Sequence, residues 1–392
     1  MVKNTNEHLL FQEYQKLASA PIEDAVALPF AVYHDPSVYQ AEAEYIFHRE
    51  WIFVCHEQQL SNEGDYLALD IAGEAIAVIR GQDGQLRALS NICRHRGTPL
   101  LDEGYGNIKK NIVCPYHAWT YDDSGKLKGV PFAGDIHVEK EKHCLPRFHL
   151  DSWMGLLFIN LGDEPEPLIN RTGCLQNFVD VFEPQKLLNC YQGNSESWEA
   201  NWKLAFENAI ESYHLFKVHK ETLEKQSPSK DTYYVAGSSE SSLSGGKLRD
   251  DRSRLMKWIT GDSPEVYNHY LLISLPPSFV GILTYGSFDW LQILPKGPLS
   301  SVVSQGGLSN YFVSKGEVNQ DQLTQDFLEE DKLICERVQR GMHSRIAQGG
   351  KLVSMENILV DFRQFLASRL FDSTPDAYSE SNQAKLFLNF NQ

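Results

Sequence analysis

Two short pairs stand out first: Cys93-Arg94-His95 and, after a gap of eighteen residues, Cys114-Pro115-Tyr116-His117. Two thiols and two imidazoles in paired loops make a metal site, and four such ligands suit zinc or an iron–sulfur cluster. Each pair mixes one Cys with one His. In a mixed-ligand [2Fe–2S] cluster two Cys hold one iron and two His the other, so two mixed loops can serve both irons at once. Imidazoles in place of two thiolates also raise the potential, which lets the cluster pass electrons onward. Gly97, Pro99, Gly104, Gly106 and Pro115 surround the pairs; small and rigid residues let backbone N–H groups approach the cluster sulfurs. A structural zinc site is the alternative, and optical and EPR spectra separate the two because zinc is silent.

A second set follows at Glu211-Ser212-Tyr213-His214 and His219. Read as one helix over Trp202–His219, it puts Glu207, Glu211 and His214 on one face, with Trp202, Phe206, Ile210 and Tyr213 marking the more apolar side. His214 and His219 are five apart, and an ideal helix splays them by about 140°. They converge only if the helix ends or bulges between them. A third ligand is suggested by the stripe Leu328, Asp331, Cys335, Val338, Met342, in which Asp331 is the one charged member. Its neighbours Glu329 and Glu330 point elsewhere. A lone carboxylate in an apolar stripe needs a cation. His214, His219 and Asp331 would then form a two-His-one-carboxylate triad that leaves open positions on Fe(II) for dioxygen. A helix-end or salt-bridge role for Asp331 is the alternative.

The elements that must position these residues divide the chain. With 392 residues, about two domains are expected. From Glu44 to Asn160 short β-type runs recur (Trp51–Cys55, Tyr66–Ile71, Ala75–Arg80, Ile112–Cys114, Gly155–Asn160). They are separated by turn signals at Asn62-Glu63-Gly64, Asp83-Gly84 and Asp122-Asp123-Ser124-Gly125, which predicts a small antiparallel sandwich or barrel. After Gly162 the texture changes. Pro165, Pro167 and Gly173 mark a linker, and helices are predicted over Trp202–His219, Gln322–Met342 and about Met355–Leu370. Ser227–Arg254 reads as a long loop. The uncharged stretch Tyr270–Phe288 is broken by Pro276, Pro277 and Gly281, so it reads as two buried strands joined by a Pro-Pro turn rather than a membrane span.

Composition narrows the function classes. Hydrophobic residues make up 42% and charged residues 22%, an ordinary globular balance. A net charge of -16 repels phosphate backbones, so nucleic acid is a poor partner. The polar first twenty residues lack the apolar run of a signal peptide, and seven cysteines fit a reducing cytoplasm better than a disulfide framework. A cytoplasmic protein without membrane attachment is expected.

With both motifs in view, the sequence resembles the α-subunits of Rieske ring-hydroxylating oxygenases over nearly its whole length. Cys93, His95, Cys114 and His117 match the family's [2Fe–2S] ligands. Asn201-Trp202-Lys203, Glu207-Asn208, Tyr213-His214 and His219 match the stretch that carries its two iron histidines. Residues 329–341, with Asp331 as third iron ligand, resemble the choline, glycine betaine and carnitine monooxygenase branch. Glu211 stands where most ring-hydroxylating members have Asp, as in the carnitine group. The family's residue there bridges a cluster His of one subunit to an iron His of its neighbour, and Asn208 and Tyr213 would be further catalytic-site residues.

The resemblance implies an α+β fold with three parts. Residues 1–43 would be a helical segment packing on the catalytic domain, 44–162 an all-β Rieske domain, and 163–392 a catalytic domain of antiparallel sheet and helices, helix-grip-like. It implies a mononuclear Fe(II) fed with electrons from NAD(P)H through a separate reductase, with or without a ferredoxin, in a head-to-tail homotrimer. The implied reaction is hydroxylation of a small organic substrate by O2. In the quaternary-amine branch this ends in C–N cleavage or demethylation. Aromatic-ring dioxygenation is the alternative chemistry, and a Rieske electron carrier with an appended binding domain is the alternative class.

Overall fold

The computed structural model describes residues 2–249, 265–310, 322–374 and 377–390. The chain forms two units, Phe47–Leu168 and a larger one made of Met1–Ile46 with Ile169–Gln392.

The Phe47–Leu168 unit is β throughout: β1 (Ile52–His56), β2 (Asp65–Ile71), β3 (Glu74–Arg80), β4 (Leu86–Ser90), β5 (Gly104–Asn107), β6 (Asn111–Val113), β7 (Thr120–Asp122), β8 (Leu127–Gly129), β9 (Arg147–Trp153) and β10 (Leu156–Asn160). Seven strands form an antiparallel sheet in the order β1-β10-β9-β4-β3-β2-β5, and β6-β7-β8 form a small second sheet. Two hairpins fix the register. In β2–β3, Ile71 faces Glu74 across Ala72 and Gly73; in β9–β10, Trp153 faces Leu156 across Met154 and Gly155. All four loop residues have positive φ, as a two-residue turn matched to the strand twist requires. The core contains Ile79, Leu89, Ile112, Trp119, Tyr121 and Leu127, and it also includes Cys93 and Cys114.

The larger unit is built on an eight-stranded sheet of β11 (Asn189–Trp198), β12 (Thr232–Gly237), β13 (Ser242–Lys247), β14 (His269–Leu275), β15 (Phe279–Leu283), β16 (Ser287–Gly297), β17 (Ser300–Ser309) and β18 (Ser379–Glu380). The order is β11-β17-β16-β15-β14-β13-β12-β18, with antiparallel neighbours. The Trp202–Ile210 helix packs across β14–β17, and the Asn357–Phe371 helix packs over β12 and β13. Edge-to-face contacts of Trp202 with Phe362, ring centroids 5.7 Å apart, join the two helices. The Val2–Ala18 helix docks on Phe371 through Tyr14 at 5.4 Å. The α+β class is thus observed, and β14 and β15 are the two strands predicted on either side of Pro276-Pro277.

Three expectations are corrected here. Residues 227–254 are not one long loop: β12 and β13 pair within them as a hairpin, an arrangement the Ser and Gly content disguised, while 250–254 lie outside the described residues. The linker expected after Gly162 is partly helical, with an Ile169–Thr172 turn that buries Arg171 and Thr172. The predicted Trp202–His219 helix stops at Ile210, because Glu211 adopts an extended backbone, φ -104° and ψ 154°.

The Trp202–Ile210 helix is anchored at its N-terminal end. Asn201 caps it, its side chain accepting from the Lys203 N–H at 3.0 Å. Lys203 itself is fully buried and pairs with buried Glu42 at 2.7 Å, while Trp202 Nε1 donates to the other Glu42 oxygen at 2.8 Å. Burial lowers the Lys203 pKa and Glu42 opposes that fall. Removing one member leaves an uncompensated charge, so Lys203→Met is expected to cost about 3–5 kcal/mol. Lys203→Met with Glu42→Gln should recover most of that. Urea unfolding of the two variants checks it, and equal losses would contradict the pairing.

Candidate metal centres

The two Cys–His loops are built alike. In the first, Cys93 N–H donates to Thr98 O at 2.9 Å and Gly97 N–H to Cys93 O at 3.0 Å. In the second, Cys114 N–H donates to Trp119 O at 2.8 Å and Ala118 N–H to Cys114 O at 3.0 Å. The fourth residue after each Cys has positive φ, 72° at Gly97 and 55° at Ala118. For an alanine that conformation is uncommon and costs about 1–3 kcal/mol, which points to a geometry imposed by function. Both cysteines are buried, whereas His95 is exposed and His117 half-buried. The rings of His95 and His117 lie 4.8 Å apart, and His95 stacks on Trp119 at 4.7 Å.

The donor set fits a [2Fe–2S] cluster. Burial raises the Cys114 thiol pKa, but the N–H groups of Tyr116 and His117, with Cys93 and Thr98, bring it below the ordinary thiol value, favouring a thiolate. His117 Nδ1 is buried without a hydrogen-bond partner. Burial, then His95 and Arg96, lower the His117 pKa and leave a neutral ring available as a ligand. The Tyr121 hydroxyl accepts from the Arg94 N–H at 3.0 Å, which leaves its own proton for Cys93 Sγ at 3.4 Å.

The second centre begins where the Trp202–Ile210 helix ends. Glu211 Oε2 accepts the backbone N–H groups of Tyr213 and His214, groups that a continuing helix would bond to its own carbonyls. A new turn, Leu215–Val218, starts after His214 and closes at His219. The break and restart replace the 140° splay of an unbroken helix. The two rings now meet edge to face with centroids 5.0 Å apart.

Opposite them stands Asp331, buried on the Gln322–Gly341 helix. Asp331 Oδ1 lies 2.9 Å from His219 Nε2 and 3.5 Å from His214 Nε2. One ligand atom from each of the three residues lies within 4.8 Å of the others. Adjacent corners of an octahedron with bonds of about 2.1 Å lie roughly 3 Å apart, so the two Asp331 distances are near those of ligands sharing one divalent ion. Burial lowers the His214 pKa, but hydrogen bonds to Asp331 and Glu211 outweigh it and carry it up to about 10. His219 is likewise raised against burial by Asp331 and Glu330, and Asp331 is lowered against burial by both rings. A metal ion binding here would take the place of those protons.

Sequence reasoning placed several neighbours differently. Glu207 is not in this group: its oxygens accept from Tyr33 Oη at 2.9 and 3.0 Å, one turn before the helix breaks. The buried line of the Gln322–Gly341 helix is Asp331, Cys335 and Gln339, while Val338 is exposed. Gln339 Oε1 accepts from Asn201 N at 2.7 Å, which binds this helix to the cap of the other. Glu330, expected to point away, accepts or shares a proton with His219 Nδ1 at 2.8 Å. Glu211 does the same with His214 Nδ1 at 2.5 Å. Asn208 is half-buried on the last turn of its helix, and Tyr213 is 40% exposed with its ring 5.7 Å from Phe216.

Comparisons with known proteins bear on both units. Residues 50–145 match the family described as the Rieske [2Fe-2S] domain. Residues 187–371 match the ring hydroxylating alpha subunit (catalytic domain). The chain is 28% identical over 342 residues to the carnitine monooxygenase oxygenase subunit of Acinetobacter baumannii, covering 83% of this chain and 87% of that one. It is 35% identical over 200 residues to the glycine betaine monooxygenase oxygenase subunit of Chromohalobacter salexigens, an alignment that spans 50% of this chain and 44% of that relative. A crystal structure of a quaternary ammonium Rieske monooxygenase superposes with a TM-score of 0.77 at 24% identity, covering 91% of this chain and 98% of that one, and so shows the same fold. With one match on each side of the unit boundary, in the order that the two ligand sets occupy along the chain, the protein belongs to the Rieske non-haem iron oxygenase α-subunit family.

Proposed function

We propose that this chain is the oxygenase component of a system that hydroxylates a small quaternary amine, so that the product loses a C–N bond. The observation that carries the oxygenase part is the convergence of His214 Nε2, His219 Nε2 and Asp331 Oδ1. An electron carrier needs the Cys93, His95, Cys114 and His117 site alone. The quaternary-amine part rests on the similarity to carnitine and glycine betaine oxygenases.

Residues 44–162 would be the Rieske domain and 163–392 the catalytic domain, with 1–43 accompanying the latter. Iron held by His214, His219 and Asp331 would supply dioxygen activation through coordination positions that three protein ligands leave open. The protein's own part is electrostatic and positional. Asp331 neutralises the two-imidazole pocket, and Glu211 fixes the His214 ring through Nδ1. Glu211 keeps lone pairs beyond the contacts it makes here, and its side chain is 12% exposed. We assign it the inter-subunit electron bridge of a homotrimer, with Asn208 and Tyr213 beside it at the site. At the cluster, the exposed His95 edge is where an electron would leave, and the Tyr121 hydroxyl stabilises the reduced state through Cys93. The electrons would come from NAD(P)H through a separate cytoplasmic reductase.

Three outcomes follow. With a surrogate reductase, oxygen uptake should be coupled to carnitine- or betaine-like amines and not to aromatic acids; coupling to aromatic acids alone would replace the amine reading with ring dioxygenation. Asp331→Ala should abolish product formation while the cluster still takes up electrons, and unchanged turnover would refute the triad. Tyr121→Phe should lower the cluster potential, since one net hydrogen bond of about 1 kcal/mol corresponds to about 40 mV for one electron; an unchanged potential in a voltammetric titration would remove Tyr121 from the cluster's tuning.

A further inference from the structure

The geometry points to Glu330 as the positioning residue of His219, so that each of the two histidines has a carboxylate of its own behind it. The inference rests on the iron-site reading above. His219 is gripped at both ring nitrogens by consecutive residues of one helix: Asp331 Oδ1 is 2.9 Å from Nε2 and Glu330 Oε2 is 2.8 Å from Nδ1. Successive residues on a helix point about 100° apart, so two adjacent acids can embrace one ring only if it stands edge-on to the helix between them. His219 does so from a buried position.

Two observations separate this from a chance contact. The Glu330 side chain is 32% exposed and could be satisfied by water, yet its Oε2 also accepts from the Thr222 hydroxyl at 2.7 Å. Thr222 is held three residues beyond His219, its N–H donating to His219 O at 3.1 Å, so ring, hydroxyl and carboxylate close one loop. The second observation is the parallel with the other ring. Glu211 meets His214 Nδ1 at 2.5 Å, leaving His214 Nε2 toward Asp331. A carboxylate on Nδ1 holds the proton there, fixes the ring plane and leaves the Nε2 lone pair for a metal. Glu211 and Glu330 thus do the same work from different elements. Glu211 is in addition the proposed bridge, whereas Glu330 is tied to Thr222 beside the ring it serves.

The test uses the full-length protein with its cluster intact and its mononuclear site emptied by chelation, titrated with Co(II) against a competing chelator. Glu330→Ala should weaken Co(II) binding by about 10–100-fold and change the His219 ring-nitrogen chemical shifts. Glu330→Gln, whose amide oxygen still accepts from Nδ1–H, should stay within a few-fold of the parent. The cluster's visible spectrum should be the same in all. Parent-like binding by Glu330→Ala, or an equal loss in Glu330→Gln, overturns the inference. Should Glu330→Ala lose its fold, Thr222→Val carries the test with both the acid and the ring in place. Several-fold weaker binding is expected there, and parent-like binding overturns the inference. If the parent protein itself binds no Co(II), the iron site has failed; if the parent binds and the variants match it, only Glu330's role has.

Discussion

A carboxylate among apolar side chains must be met by positive charge or give up its own, and the larger unit is arranged around that requirement at Asp331. The acid sits on the buried line of a long helix, and two imidazoles face it from a broken stretch of another. Each ring is backed by a further acid, Glu211 or Glu330, so that three carboxylates surround two histidines. The acids raise the His214 and His219 pKa values against burial, so both rings draw positive charge. A divalent ion would meet that demand at one point, because it can bind both Nε2 atoms and the Asp331 oxygen together. The site is then stabilised by what it binds.

The Phe47–Leu168 unit meets a different constraint. Its loops present two thiols and two imidazoles with matched backbone geometry, down to a left-handed residue at the same step after each Cys. The cysteines belong to the hydrophobic core, while the histidines sit toward the surface. Burial of one end shields the sulfurs from solvent, while the other end, at His95, stays open to it. In the larger unit the Trp202–Ile210 helix has a comparable role. Asn201, Gln339 and the buried Lys203–Glu42 pair hold it in place, so the break at Glu211 falls at a defined spot.

Much of this was legible in the residues. The mixed Cys–His pairs identify the cluster because few other sites need that order, and β14 and β15 follow from the apolar run and its Pro-Pro interruption. Asp331 could be found because one acid in a helical stripe is conspicuous. Glu330 could not, since its direction depends on how the helix is rotated against His219, a tertiary quantity. Helical periodicity likewise grouped Glu207 with the site, whereas the break at Glu211 leaves it beside Tyr33. No Gly or Pro announces that break; a side chain capturing two backbone N–H groups produces it. β12 and β13 were hidden because their Ser and Gly residues are buried by packing rather than by hydrophobicity.

The central claim is that one polypeptide carries two kinds of iron, one bridged by sulfide and one held only by His214, His219 and Asp331. Quantifying iron and acid-labile sulfide in the same anaerobically purified sample addresses it directly. Iron in clear excess over sulfide, approaching one additional atom per chain, is the predicted result. Iron equal to sulfide, in a preparation whose cluster is fully occupied and to which Fe(II) has been supplied, would contradict it.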